Sequence, residues 1–183
     1  MIQDIYPHNL DNRFKANKKM KNEDIVFCFK ENEILVNEEK ISFPKGKELK
    51  DTEPIFLFTL DEQDIYLLNN LEYIPKGYEY VNVRTLRKNT RGMVEKQHII
   101  FAVMTALQLS RWYRDNTYCG RCGHRMELAT DERKVHCNKC GLRVYPKIVP
   151  AVIAGVTCNG KILLTKYAGK EGTKVPYYAL IGG

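Results

Sequence analysis

Four cysteines fall in two pairs, Cys119-x2-Cys122 and Cys137-x2-Cys140, with fourteen residues between the pairs. A glycine follows each pair, as Gly123 and Gly141. Such a step lets the backbone turn tightly and aim two thiolates at one point, and two of these knuckles complete a tetrahedron around Zn²⁺. The residues between them are expected to form a short hairpin. Four thiolates leave no open coordination position, so a metal held there is structural rather than catalytic. Disulfide pairing is the competing reading. The opening MIQDIYPHNL lacks the charged start and apolar stretch of a signal peptide, which points to a reducing compartment and against disulfides. Cys28, inside Ile25–Phe29, and Cys158, at the end of an apolar run, read as small buried hydrophobes without chemistry. His124 and His136 lie beside the knuckles, but the better-spaced thiolates leave them surface or backbone-bonding roles.

The elements that must position this cluster are legible in outline. Short β-rich runs at Ile25–Lys30, Glu33–Val36, Ile55–Leu60, Asp64–Asn69 and Tyr78–Leu86 are separated by turn formers, which predicts a small, mostly antiparallel domain. No cluster in it has the pattern of a nucleophile, a metal site or a phosphate loop, so it reads as a scaffold or an interface. From residue 93 to 115 the period changes. Ile99, Ile100, Val103, Met104, Leu107 and Trp112 recur at helical spacing, predicting an amphipathic helix that leads into the first knuckle. Beyond the second knuckle, Ile148–Cys158 is a long apolar segment. Asn159-Gly160, which tolerates positive φ at both turn positions, then predicts a hairpin with Lys161–Tyr167. A Gly/Lys-rich loop, 168–174, and a strand at Tyr177–Ile181 follow. These last elements are too few to cover both faces of a sheet.

Charge is unevenly placed over the 183 residues. Residues 1–110 hold 16 basic and 17 acidic side chains, 111–147 hold 9 and 4, and 148–183 hold 4 and 1. The second half is therefore basic, and favours an anionic partner such as a phosphate, a dinucleotide or RNA over a plain solvated face only when other features agree. Hydrophobic residues at 44% and charged residues at 28% describe a globular chain, not a disordered or fibrous one. No apolar run approaches the length of a membrane helix, and the expectation is a soluble cytoplasmic protein with no membrane partner.

The stretch AVMTALQLSRWYRDNTYCGRCG, then CNKCGLRVYPKIVPAVIAGV, then KILLTKY and ALIGG resembles the zinc-ribbon NADH pyrophosphatases of the Nudix hydrolase superfamily. The resemblance runs in register from about residue 93 to 183. It implies an α+β chain of four parts: an N-terminal domain over 1–92, a connecting helix over 93–117, a zinc ribbon over 118–146, and the beginning of a Nudix α/β sandwich over 147–183. It also implies an enzyme that hydrolyses NAD(H) at the pyrophosphate to NMN(H) and AMP, and that could take the NAD cap from RNA. Structural Zn²⁺, catalytic Mg²⁺ or Mn²⁺, and a homodimer come with it.

Residue by residue, the resemblance places Glu132 and Tyr145 at dinucleotide contacts, Arg84 at a substrate-contacting arginine of the N-terminal domain, and the Gly182 carbonyl on the catalytic metal. The glutamate helix that holds that metal would begin just past Gly183, and no such segment occurs in the sequence. The 183 residues alone are therefore expected to be inactive, since water attack on a pyrophosphate needs carboxylate-held divalent ions. Each contact also has a plainer reading: packing at a domain junction for Tyr145, an exposed hairpin tip for Glu132, a solvated strand edge for Arg84. A different function class stays open as well. A basic ribbon could bind nucleic acid or protein without catalysis, using Arg121, Arg125, Arg133, Lys134, Lys139 and Arg143 for charge and Tyr118 and Tyr145 for stacking. Equally, the zinc and helix could simply hold an oligomer together.

Overall fold

The computed structural model describes residues 3–49, 51–166 and 176–182. It divides into two compact units, 1–146 and 147–183. In the first unit, β1 (Leu10–Asp11), β2 (Ile25–Lys30), β3 (Glu33–Val36), β4 (Ile55–Leu60), β5 (Gln63–Asn69) and β6 (Glu79–Asn82) form one sheet in the order β1-β4-β5-β2-β3-β6. Four of its pairings are antiparallel and β2 runs parallel to β5. Alternation along these strands divides the apolar residues between two faces. Phe27, Phe29, Ile34, Val36, Ile65 and Leu67 point to one side, and Val26, Cys28, Leu35 and Tyr66 to the other. Both sides are covered, which is why the strands read as continuous apolar runs rather than alternating ones.

The first face is covered by helix α2 (Gln97–Asp115), which buries Ile100, Val103, Ala106, Leu107 and Leu109 against it. Two polar contacts fix its second half. Ser110 Oγ lies 2.7 Å from Asn69 Oδ1 at the end of β5, and the Arg111 guanidinium donates to Asn32 Oδ1 at 2.8 Å in the β2–β3 turn. The helix begins at residue 97 rather than 93, because residues 94–96 wind as a single 3-10 turn.

One expected strand is corrected. Tyr78–Leu86 does not run on as a single strand: β6 ends at Asn82 and residues 83–89 coil as α1 (Val83–Asn89). Asn82 is the cause, since its side chain accepts a hydrogen bond from Arg84 N–H and caps the new helix. Val83 and Leu86, three apart, then bury on one helical side.

Past α2 come three short antiparallel strands, β7 (Glu127–Leu128), β8 (Val135–His136) and β9 (Arg143–Val144), in the order β7-β8-β9. Trp112, from the last turns of α2, packs with Cys119, Met126, Val135 and Cys137 in a small separate core. This core is what fixes the ribbon to the helix.

The second unit holds three two-stranded pairs: β10 (Ile153–Ala154) with β15 (Ile181–Gly182), β11 (Thr157–Cys158) with β12 (Lys161–Ile162), and β13 (Thr165–Lys166) with β14 (Tyr178–Ala179). The Asn159-Gly160 hairpin forms as expected, with φ of 47° and 73° and Cys158 opposite Lys161. Cys158 is exposed, not buried, because none of the described residues of this unit is buried. The expected Gly/Lys-rich loop, 168–174, lies outside the described residues.

Candidate functional site

The two knuckles are built by the same pair of backbone bonds, made twice. Cys119 N–H donates to the His124 carbonyl at 2.7 Å and Gly123 N–H to the Cys119 carbonyl at 2.8 Å. Cys137 N–H donates to the Leu142 carbonyl and Gly141 N–H to the Cys137 carbonyl, both at 2.9 Å. Gly123 and Gly141 sit at φ of 74° and 71°, left-handed conformations where any side chain would add strain. His124 thus serves through its carbonyl, as a backbone partner.

The four Sγ atoms lie within 4.8 Å of one another, with Cys119–Cys140 and Cys122–Cys137 each at 3.5 Å. A disulfide would bring two sulfurs to roughly 2.05 Å. Tetrahedral Zn²⁺ with bonds of about 2.3 Å holds sulfurs roughly 3.8 Å apart, the spacing approached here. All four cysteines are free, and the donor set fits zinc. Burial works to raise the Cys119 thiol, but the amides of Arg121 and Cys122 outweigh it and hold it below the usual thiol range. The Cys140 amide, above all, does the same for Cys137. The His124 amide lowers the Cys122 thiol, but burial and the neighbouring Cys137, Cys140 and Cys119 together push it up to about 12, so amide donors prepare a thiolate at Cys119 and Cys137 and not at Cys122.

Between β7 and β8 the hairpin tip carries Asp131-Glu132-Arg133-Lys134, and it is not a free solvated tip. Arg133 turns inward, donating to the Leu57 carbonyl and to Asn12 Oδ1. Leu57 is the bulged residue of β4, where the register with β5 shifts between Phe56 and Phe58. A bulge leaves backbone groups out of the ladder, and Arg133 takes up the one it leaves. Lys134, 9% exposed at its side chain, is spanned by Asp131 and Glu132, each at 2.7 Å. Two of the six charges expected to face a polyanion are therefore engaged within the protein.

Glu132 and Tyr145, thirteen residues apart, are brought together: the Tyr145 hydroxyl donates to Glu132 Oε1 at 2.9 Å. Lys134 foremost, and then Tyr145, holds the Glu132 carboxyl below its usual range, and the same carboxylate raises the tyrosine. Oε2 of Glu132 carries no bond among the described residues and remains an acceptor. Glu132 also lines a cleft of about 340 Å³ with Lys15, Lys18, Phe56 and Tyr113, between the sheet and the ribbon.

Arg84 lies elsewhere. It lines a second cleft, with Arg87 and Arg111, that Glu132 and Tyr145 do not reach. Gly182 belongs to the second unit and pairs with Ile153. Sequence reasoning missed the inward turn of Arg133 and the grouping of three arginines. The run Arg84, Arg87, Lys88, Arg91, with no acid among residues 83–91, was the available signal.

Residues 114–145 match the NADH pyrophosphatase zinc ribbon domain family. The chain is 28% identical over 148 residues to the NAD-capped RNA hydrolase NudC of Yersinia pestis (strain Pestoides F), covering 76% of this chain and 53% of that protein. It is 33% identical over 110 residues to NudC of Pseudomonas fluorescens (strain Pf0-1), covering 58% and 37%. With NudC of Yersinia enterocolitica it shares 39% over 110 residues, covering 60% and 38%. The chain thus spans about half or less of the length of these curated relatives. The resemblance read from the cysteines and their surroundings holds, as does the α+β architecture with its four-cysteine metal centre. Among the described residues no helix is long and apolar enough to cross a membrane.

Proposed function

We propose that the chain is the scaffold and zinc-ribbon portion of a NAD(H) pyrophosphatase, one that cleaves the dinucleotide to NMN(H) and AMP and removes the NAD cap from RNA. The observation that carries this reading is the 2.9 Å bond between Tyr145 and Glu132, two residues that the resemblance assigns to one substrate. The two knuckles flank Glu132 in the chain, and the second lies just before Tyr145. The free Glu132 oxygen accepts from ribose hydroxyls, and the Tyr145 ring, 46% exposed, packs on a base or nicotinamide. Arg84, in its own cleft, takes substrate phosphate by its planar fork.

Divalent Mg²⁺ or Mn²⁺ supplies the charge neutralisation that lets water attack a pyrophosphate. Among the described residues the four cysteines are the one group with metal-holding geometry, so no carboxylate set for that ion is formed here. The Gly182 carbonyl is a single ligand to it, and the remaining ligands belong to the glutamate helix that the resemblance puts past Gly183. The working enzyme is a cytoplasmic homodimer. A non-catalytic basic ribbon is the weaker reading, since Arg133 and Lys134 are turned to structural use.

The test is NADH hydrolysis with Mn²⁺ by the 183-residue chain and by the same chain joined to the C-terminal part of the Yersinia pestis relative. AMP is expected from the joined protein and none from the chain alone, with Glu132→Gln and Tyr145→Leu raising KM in the joined form. A joined protein that folds, holds zinc and releases no AMP overturns the proposal.

A further inference from the structure

Glu132, Arg133 and Lys134 make one tight turn at the tip of the β7–β8 hairpin. Lys134 N–H donates to the Glu132 carbonyl at 2.8 Å, and Ala129 N–H donates to the Lys134 carbonyl at 3.1 Å, so the tip is closed by its own backbone. The middle residue faces inward: Arg133 reaches the Leu57 carbonyl and Asn12 Oδ1. Its two neighbours are left beside each other. Lys134 therefore grips Glu132 twice, through its amide and through its ammonium, which donates to Glu132 Oε1 at 2.7 Å.

The ammonium bond decides how the carboxylate presents itself. A glutamate turns broadly about its last torsion, so a single bond to one oxygen does not orient the other. Here Oε1 receives two donors from different segments, Lys134 Nζ just before β8 and the Tyr145 hydroxyl just after β9, at 2.7 and 2.9 Å. Together they fix the carboxylate plane and leave Oε2 as the open acceptor. The lysine is the covered member of the group: its side chain is 9% exposed, that of Glu132 49% and that of Asp131 68%. Asp131 Oδ2 accepts from the same ammonium at 2.7 Å. One cation between two carboxylates leaves the group with a net negative charge. A lysine that binds phosphate works as an open point charge, and Lys134 is neither open nor uncompensated.

We infer that Lys134 is a positioning residue for the nucleotide: through Glu132 it fixes the oxygen that accepts from a ribose hydroxyl, and it does not touch the substrate itself. This rests on the functional reading, in which Glu132 binds a ribose.

The experiment measures NADH hydrolysis with Mn²⁺ by the full chain joined to the C-terminal part of the Yersinia pestis relative. Lys134→Met is compared with Glu132→Gln, with the double variant and with Asp131→Asn. Circular dichroism and zinc content establish that each folds, and Lys134→Gln takes the place of Lys134→Met if the apolar side chain prevents folding. Expected for Lys134→Met is a KM higher by about fivefold, with kcat within about twofold of the parent. In the Glu132→Gln background the same change should raise KM by less than about twofold, because the lysine then has no carboxylate to orient. Asp131→Asn should leave KM unchanged, since the bond from Lys134 to Glu132 survives it. An unchanged KM in Lys134→Met overturns the inference. So does a rise that multiplies in the double variant, which would mean that Lys134 meets the substrate itself. An equal rise in Asp131→Asn overturns it too, because the effect would then belong to the stability of the tip and not to the carboxylate. The two readings fail separately: a folded parent that releases no AMP sinks the functional reading, whereas an active parent with any of these three outcomes sinks the role of Lys134 alone.

Discussion

The six cysteines occupy three environments, and each should react differently. Cys158 is exposed, four thiols face a common centre, and Cys28 is fully buried with its thiol pushed up to about 12 by desolvation. An aromatic disulfide reagent should therefore modify one thiol in the zinc-loaded protein, four more after chelation, and the last only in denaturant. Early modification of several thiols in the zinc-loaded protein would mean the cluster holds no metal. Arg133 makes a second prediction at this scale. Truncation to Met leaves the Leu57 carbonyl without its donor, which costs about 2 kcal/mol; urea unfolding of Arg133→Met against the parent measures it. The cysteines were legible because their chemistry depends on spacing within 22 residues of chain. Arg133 was not, because its partner is a backbone carbonyl 76 residues upstream, freed by a bulge that no residue type announces. Glu132 and Tyr145 could be named by resemblance, but their contact with each other required the folded ribbon.

Among the elements, β2 to β5 were read within a residue because both sheet faces are apolar and β-branched or aromatic residues fill them, whereas the two-residue β1 was not read at all. The parallel pairing of β2 with β5 was not, since register between distant strands is set by packing rather than by local pattern. α1 was mistaken for strand because Val83-Arg84-Thr85 is β-rich in composition, and one capping asparagine decides otherwise. The start of α2 carries the unit's titrating element. The His98 ring stacks on His8 with centroids 3.5 Å apart, His8 Nδ1 lies 2.9 Å from Asp61 Oδ2, and Lys96 lies close by in sequence. Burial, with help from His8 and Lys96 against Asp61, keeps His98 below the ordinary histidine value. The unfolded chain then binds more protons than the folded one below about pH 6.5, so stability falls as pH drops through that range. Asp61 is itself held low and adds its own loss only in stronger acid. Zinc release at low pH lowers stability in every variant, so the diagnostic quantity is a difference. Denaturant midpoints at about pH 7.5 and 5.5 should differ less in His98→Asn than in the parent. An unchanged difference would remove His98 from the account.

On the scale of the whole molecule, the two units are unequal in what they bury. The first has cores on both sheet faces and a third around Trp112. In the second, Ile148, Val149 and Ile153 are 88%, 82% and 73% exposed, and its strands are two residues long. So little burial supports little independent stability. Limited proteolysis should cut within 147–183 first and leave a zinc-bound fragment ending near Pro146; prior cleavage within 1–146 would contradict this. The chain's one tryptophan occupies a telling place in that surviving fragment. Trp112 is 7% exposed and packs on the side chains of Cys119 and Cys137. Stripping the ion should wet the indole and move its emission to longer wavelength, so the protein carries a built-in optical gauge of metal occupancy that works in dilute solution without any dye.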